Sequence, residues 1–178
     1  LDVALAYGQS TVADVDTGEA VFQTPATLAG TYGTFTFNPT TGAWTYSANN
    51  SQAAIQSLGV GQSLTDSITV VSKDGTASQA ITVTINGTND IPTISGSSAG
   101  TVVEAGGVSN AVPGTPSASG TLTIADADAG QSSFQAPGSL SGTYGSFTFN
   151  AATGAWTYAL DNSKAATQAL TAGQVVHD

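Results

Sequence analysis

Residues 30–46 read GTYGTFTFNPTTGAWTY, and residues 142–158 read GTYGSFTFNAATGAWTY. Alternation of period two runs through 31–37 and again through 43–47, with Asn38-Pro39-Thr40-Thr41-Gly42 between them. Such alternation sends successive side chains to opposite faces of a strand. Pro39 suits the second position of a type I turn, and Gly42 suits a left-handed backbone, so the stretch predicts a β-hairpin. Pairing Asn38 with Ala43 sets Phe37 opposite Trp44 and Phe35 opposite Tyr46. These four aromatics then share one face, while Thr34, Thr36, Thr45 and Ser47 share the other. The aromatic face predicts a core, because large rings lose most contact with water when stacked against a second layer.

The phrase lies inside a longer duplication. Residues 12–66 align with 124–178 at a constant offset of 112, without a gap, and 31 of the 55 positions are identical. That period exceeds the roughly 20–50 residues of solenoid units and suits a β-sandwich of about 100 residues with its connection. The chain reads as a segment of a tandem array: residues 1–90 form one repeat lacking its first strand, and 91–178 a second lacking its C-terminal hairpin. The second copy has no counterpart of residues 67–98, which leaves its sheet with an open edge that a neighbouring chain is able to pair. Within the first copy, Ile68 and Val70, then Ile81, Val83 and Ile85, predict another hairpin turning at Lys73-Asp74-Gly75. Residues 51–58 predict a short helix with Ala54 and Leu58 inward, and 101–103 and 120–124 predict strands opening the second copy. Many short strands with frequent turn signals indicate an all-β sandwich.

Charge is scarce and one-sided. Twelve Asp and Glu stand against two Lys and one His, for a formal net charge of −10. Such a surface repels nucleic acid and anionic membranes and attracts divalent cations. No cysteine is present to staple the fold, and no apolar run is long enough for membrane insertion. No nucleophile elbow, phosphate loop or zinc spacing appears, and the single His177 stands where the first copy has Thr65, so no enzyme is expected.

Metal chemistry is the better reading of the carboxylates. Calcium takes roughly six to eight oxygen ligands. Asp14 with Asp16, and Asp126 with Asp128, form Asp-x-Asp pairs; on a strand, residues two apart point the same way and reach one ion. Asn89 and Asp90 precede Pro92 where the copies meet, and Glu104 follows in the second copy. Asp74 reads as turn chemistry, and Glu19 and Asp161 as solvated surface. Tyr32 and Tyr144 fall by alternation on the hydroxyl face, where an exposed ring is able to stack on a sugar.

Asp14-Val15-Asp16-Thr17-Gly18, the phrase at 30–46, and SLTDSITVVSKDGTASQAITVTINGTNDIP at 63–92 together resemble the VCBS-type repeat, a cadherin-like domain tiled in giant type I-secreted RTX adhesins of Gram-negative bacteria. The resemblance implies tandem immunoglobulin-like or cadherin-like β-sandwiches, Ca2+ as the cofactor, a secreted or cell-surface location, and a spacer role in adhesion and biofilm. It also implies that Asn89 and Asp90 act as linker ligands, Asp126 and Asp128 as the Asp-x-Asp of the following domain, and Asp14 and Asp16 as ligands of the preceding junction. Asp66 is the nearest match to the acidic Asp-Arg-Glu element of cadherins. The expected partners are neighbouring repeats of the same adhesin. The alternative function is a carbohydrate-binding module for extracellular polysaccharide, using Tyr32 and Tyr144.

Overall fold

Alternation becomes strand pairing in the register that the turn dictates. The computed structural model describes residues 5–178. Its contacts divide into two compact units, Leu1–Asp90 and Ile91–Asp178. In the first, β1 (Leu5–Gln9), β2 (Gly33–Phe37) and β3 (Ala43–Ala48) form an antiparallel sheet in the order β1-β3-β2. Phe35 lies opposite Tyr46 and Phe37 opposite Trp44, as the hairpin reading requires. The turn is held locally. Asn38 Oδ1 accepts the amides of Thr40 and Thr41 at 3.0 and 3.1 Å, and Asn38 N–H donates to the Ala43 carbonyl at 2.8 Å. Gly42 has φ +70°, a backbone region that other residues enter only with strain.

After α1 (Ala53–Gln56), β4 (Ser63–Val71) and β5 (Ser78–Asn86) form a second antiparallel layer. Their inward residues Ile68, Val70, Ile81, Val83 and Ile85 are buried in one cluster with Phe35, Tyr46 and Ala48. The Phe35 and Tyr46 rings meet tilted at 4.6 Å, and Phe22 meets Phe37 edge-on at 5.2 Å. The outer face carries the hydroxyls, with Thr36 and Thr45 Oγ1 atoms 2.7 Å apart. The short helix buries Ile55 rather than the expected Ala54, because its start at Ala53 rotates Ile55 to the core side.

In the second unit, β6 (Thr93–Gly96), β7 (Ser117–Ala125), β8 (Gly145–Phe149) and β9 (Ala155–Leu160) form one sheet in the order β6-β7-β9-β8, followed by α2 (Ala165–Gln168). Phe147 pairs with Tyr158 and Phe149 with Trp156, repeating the first hairpin. Residues 101–103 are not a strand. Val103 makes only an isolated bridge to Thr115, and the strand that opens this unit is β6. No helix among the described residues is long and apolar enough to cross a membrane. The described residues are all-β apart from two single-turn helices and a 3-10 turn.

Candidate metal site

The Asp-x-Asp pairs do not lie on strands. Asp14 and Asp16 sit in the loop after β1, where Asp14 Oδ1 accepts the Asp16 amide at 2.9 Å. Asp126 Oδ1 accepts the Asp128 amide at the same distance just beyond β7. An Asp side chain competes well for the amide two residues on, and this Asx turn ends the extended run that would have aligned the two carboxylates. In the first unit the turn closes as Glu19 N–H donates to the Asp16 carbonyl at 3.2 Å.

The loop then docks on the turn between β4 and β5. Lys73 N–H donates to the Val21 carbonyl at 3.0 Å, and Gln23 N–H to Val71 at 2.9 Å. Lys73 Nζ reaches the Gly18 carbonyl at 2.9 Å. Within the turn, Asp74 accepts the hydroxyls of Ser72 and Thr76, each at 2.5 Å, and the Thr76 amide at 3.2 Å. These donors hold the Asp74 carboxyl down at about 2, Ser72 contributing most, so it is ionised at any physiological pH. Docking brings Asp14, Glu19 and Asp74 together, with one ligand oxygen of each within 4.8 Å of the others. Three carboxylates against the one Lys73 ammonium leave the locality negative.

Asp74 makes the turn contacts expected of it and also stands in this cluster, and Glu19 is half-buried rather than a solvated surface charge. The sequence offers no local spacing that joins Glu19 to Asp74, because a contact across more than fifty residues creates the cluster. Gln131 stands in the second copy where Glu19 stands in the first, and its Nε2 donates to Asp128 Oδ2 at 3.1 Å. Asp16 lies outside the three-carboxylate set.

Asp66 occupies a different environment, inside the first unit. It is 4% exposed. Its carboxylate accepts the amides of Thr31 and Tyr32 at 2.9 and 2.8 Å, the Tyr46 hydroxyl at 2.9 Å and its neighbour Ser67 N–H at 3.1 Å. Burial alone pushes this carboxyl up, but the amides of Tyr32 and Thr31, the Tyr46 hydroxyl and the Ser67 amide together hold it below its ordinary value. Asp178 repeats the arrangement with the amides of Thr143, Tyr144 and Gly145 and the Tyr158 hydroxyl. A Cβ at Gly30 would strike the Asp66 carboxylate, which is why the repeated phrase opens on glycine. With four donors already directed at it, Asp66 is a fastener between β4 and the first hairpin.

The other expected ligands are spread along the chain. Asn89 and Asp90 follow β5 in coil, with Asn89 Nδ2 donating to the Asp90 carbonyl at 2.6 Å. Glu104 is half-buried in a coil segment of the second unit, and Asp128 is buried in the turn after β7. Tyr32 and Tyr144 do not stand on the hydroxyl face. Both are half-buried, and Tyr32 packs against the core cluster. The strands begin at Gly33 and Gly145, so alternation does not extend back to either tyrosine.

The family model of the bacterial cadherin-like domain matches residues 2–87, which cover most of the first unit. The second unit is tied to the first by the internal repeat. No curated protein matches the chain.

Proposed function

We propose that the chain is a stretch of non-catalytic extender repeats from a secreted bacterial adhesin, stiffened by calcium and supporting cell adhesion and biofilm formation. The observation that carries this reading is the meeting of Asp14, Glu19 and Asp74 where a long loop docks on the β4–β5 turn. The donor set is all oxygen and anionic, which fits a hard divalent cation and not a soft one. Three carboxylates are fewer than calcium's usual complement, so carbonyls and water complete the shell. Affinity then falls in the weak range of extracellular modules, Kd about 10⁻⁴–10⁻³ M.

Bound Ca2+ would supply positive charge that relieves the mutual repulsion of the three carboxylates. The chain's own part is positional. Asp14 and Glu19 arrive on the loop, and Asp74 is preset by Ser72 and Thr76 on the rigid hairpin. Cation binding therefore ties the loop to the hairpin and favours the folded unit by mass action. The match to the bacterial cadherin-like domain and the tandem repeat support a spacer role.

The test is thermal unfolding of the chain with calcium and with EDTA. At free calcium ten times Kd, linkage stabilises the folded state by about 1.4 kcal/mol, or about 5–10 °C for a unit of this size. An identical melting temperature in calcium and in EDTA contradicts the proposal.

A further inference from the structure

The β1-β3-β2 sheet of the first unit recurs in the second as β7-β9-β8, and hydroxyls fill the outer face of each. The Thr36 and Thr45 Oγ1 atoms lie 2.7 Å apart in the first unit, as do those of Thr148 and Thr157 in the second. The two faces differ along one strand. At the offset of 112 residues, Leu5 and Tyr7 of β1 correspond to Ser117 and Ser119 of β7. Leu5 is 64% exposed and Tyr7 81% exposed. Residues two apart on a strand share a face, so they form one apolar patch beside the hydroxyls. The second unit builds the same strand with serine at both places, so the fold needs neither side chain. An apolar patch held in water with no part in the fold marks a binding surface. The corresponding face is also open where a preceding strand is present. In the second unit β6 pairs with residues 122–125 of β7 and leaves Ser117 and Ser119 exposed.

Strand register sets what lies beside the ring. Tyr7 stands opposite Thr45, and Thr45 opposite Thr36, so ring and hydroxyls form one row across the sheet. Gln9 follows on the same face, its carboxamide fixed as Nε2 donates to the Thr41 carbonyl at 2.9 Å. In a chain of net charge −10, none of these three strands carries a charged residue. The chemistry on offer is one flat aromatic surface flanked by neutral donors and acceptors. A pyranose chain matches it, because its C–H bonds stack on a ring while its rim hydroxyls exchange hydrogen bonds. The open, flat form suits a long chain, whereas small ligands need a concave site. A second copy of this chain is opposed by charge, −10 against −10.

We propose that the outer face around Tyr7 binds a neutral, β-linked polysaccharide. The Tyr7 ring stacks on one sugar, and the Thr45–Thr36 row holds the hydroxyls of its neighbour. Leu5 widens the apolar strip along the same strand. This site is separate from the carboxylates of the calcium reading and stands whether or not that reading holds.

The test is electrophoresis of the full chain in native gels containing hydroxyethyl cellulose, a neutral β-linked glucan. The parent is expected to be retarded in proportion to polysaccharide until saturation. Tyr7→Ser writes the second copy's residue into the first and leaves the fold intact by circular dichroism. It is expected to weaken binding at least ~10-fold, the share of affinity that one stacked ring face carries. Tyr7→Trp is expected to restore it, and Ser119→Tyr, which gives the second unit a ring of its own, to strengthen it. No retardation of the parent, or equal retardation of Tyr7→Ser, overturns the proposal. A parent that is dimeric by light scattering and becomes monomeric with Tyr7→Ser assigns the face to a second copy and overturns it as well.

Discussion

Asp66 illustrates how one buried carboxylate organises residues far apart in sequence. It joins Thr31 and Tyr32 on one side of the unit to Tyr46 in β3 and to its own strand β4. Removing it leaves two amides and a phenol without their acceptor, so Asp66→Ala is expected to cost about 2–4 kcal/mol, read by denaturant unfolding through Trp44 emission in a Trp156→Phe background. The pH dependence has two limbs. The folded Asp66 carboxyl lies below its unfolded value, so its contribution is present above about pH 4 and is lost as pH falls through the folded value. Burial, then the Asp66 partner, raises the Tyr46 hydroxyl, as burial and then Asp178 push Tyr158 up to about 12. That contribution is full below about pH 10 and fades as pH rises through the folded value. Asp66→Ala is expected to flatten both limbs relative to the parent. In the sequence Asp66 was legible only as the nearest match to the acidic element of the cadherin-like resemblance. Its true partners are backbone amides more than thirty positions away, and composition and spacing carry no trace of them.

At the scale of elements, the hairpins were legible because local chemistry decides them. The Asn38 turn fixes the pairing, the pairing fixes the register, and the register puts Phe35, Phe37, Trp44 and Tyr46 on one face. Alternation failed only at its ends, where Tyr32 precedes the strand and obeys the Asp66 fastener instead. The placement of the Asp-x-Asp pairs on strands failed for a related reason, since their side chains cap their own backbone and break the strand. The turn is also where a single substitution tells most. A Cβ at Gly42 would meet the Ser10 carbonyl, and φ +70° adds backbone strain. Gly42→Ala is therefore expected to destabilise the first unit by about 2 kcal/mol or more, with a melting temperature lowered by about 8–16 °C in calorimetry. The same change at Gly61, also at positive φ but with nothing near its Cβ, is expected to cost about 1 kcal/mol, the backbone term alone.

For the whole molecule, the duplication is plain in the sequence, and the family model of the bacterial cadherin-like domain matches residues 2–87. The excess of acid pointed to a cation, and of the carboxylates expected as ligands only Asp14 belongs to the Asp14, Glu19 and Asp74 cluster of the described residues. Glu19 and Asp74 escaped because their meeting depends on the loop crossing to the β4–β5 turn, a contact made by Phe22 and Ser72 that no periodicity encodes. The proposed calcium site is this meeting of loop and hairpin. A calorimetric calcium titration of the chain, run beside Asp74→Asn, tests it most directly. Saturable binding with Kd about 10⁻⁴–10⁻³ M is expected, weakened at least ~10-fold at that site in the variant, while the variant's fold is unchanged by circular dichroism. Absence of binding by the parent chain, or a binding curve identical in Asp74→Asn, contradicts it.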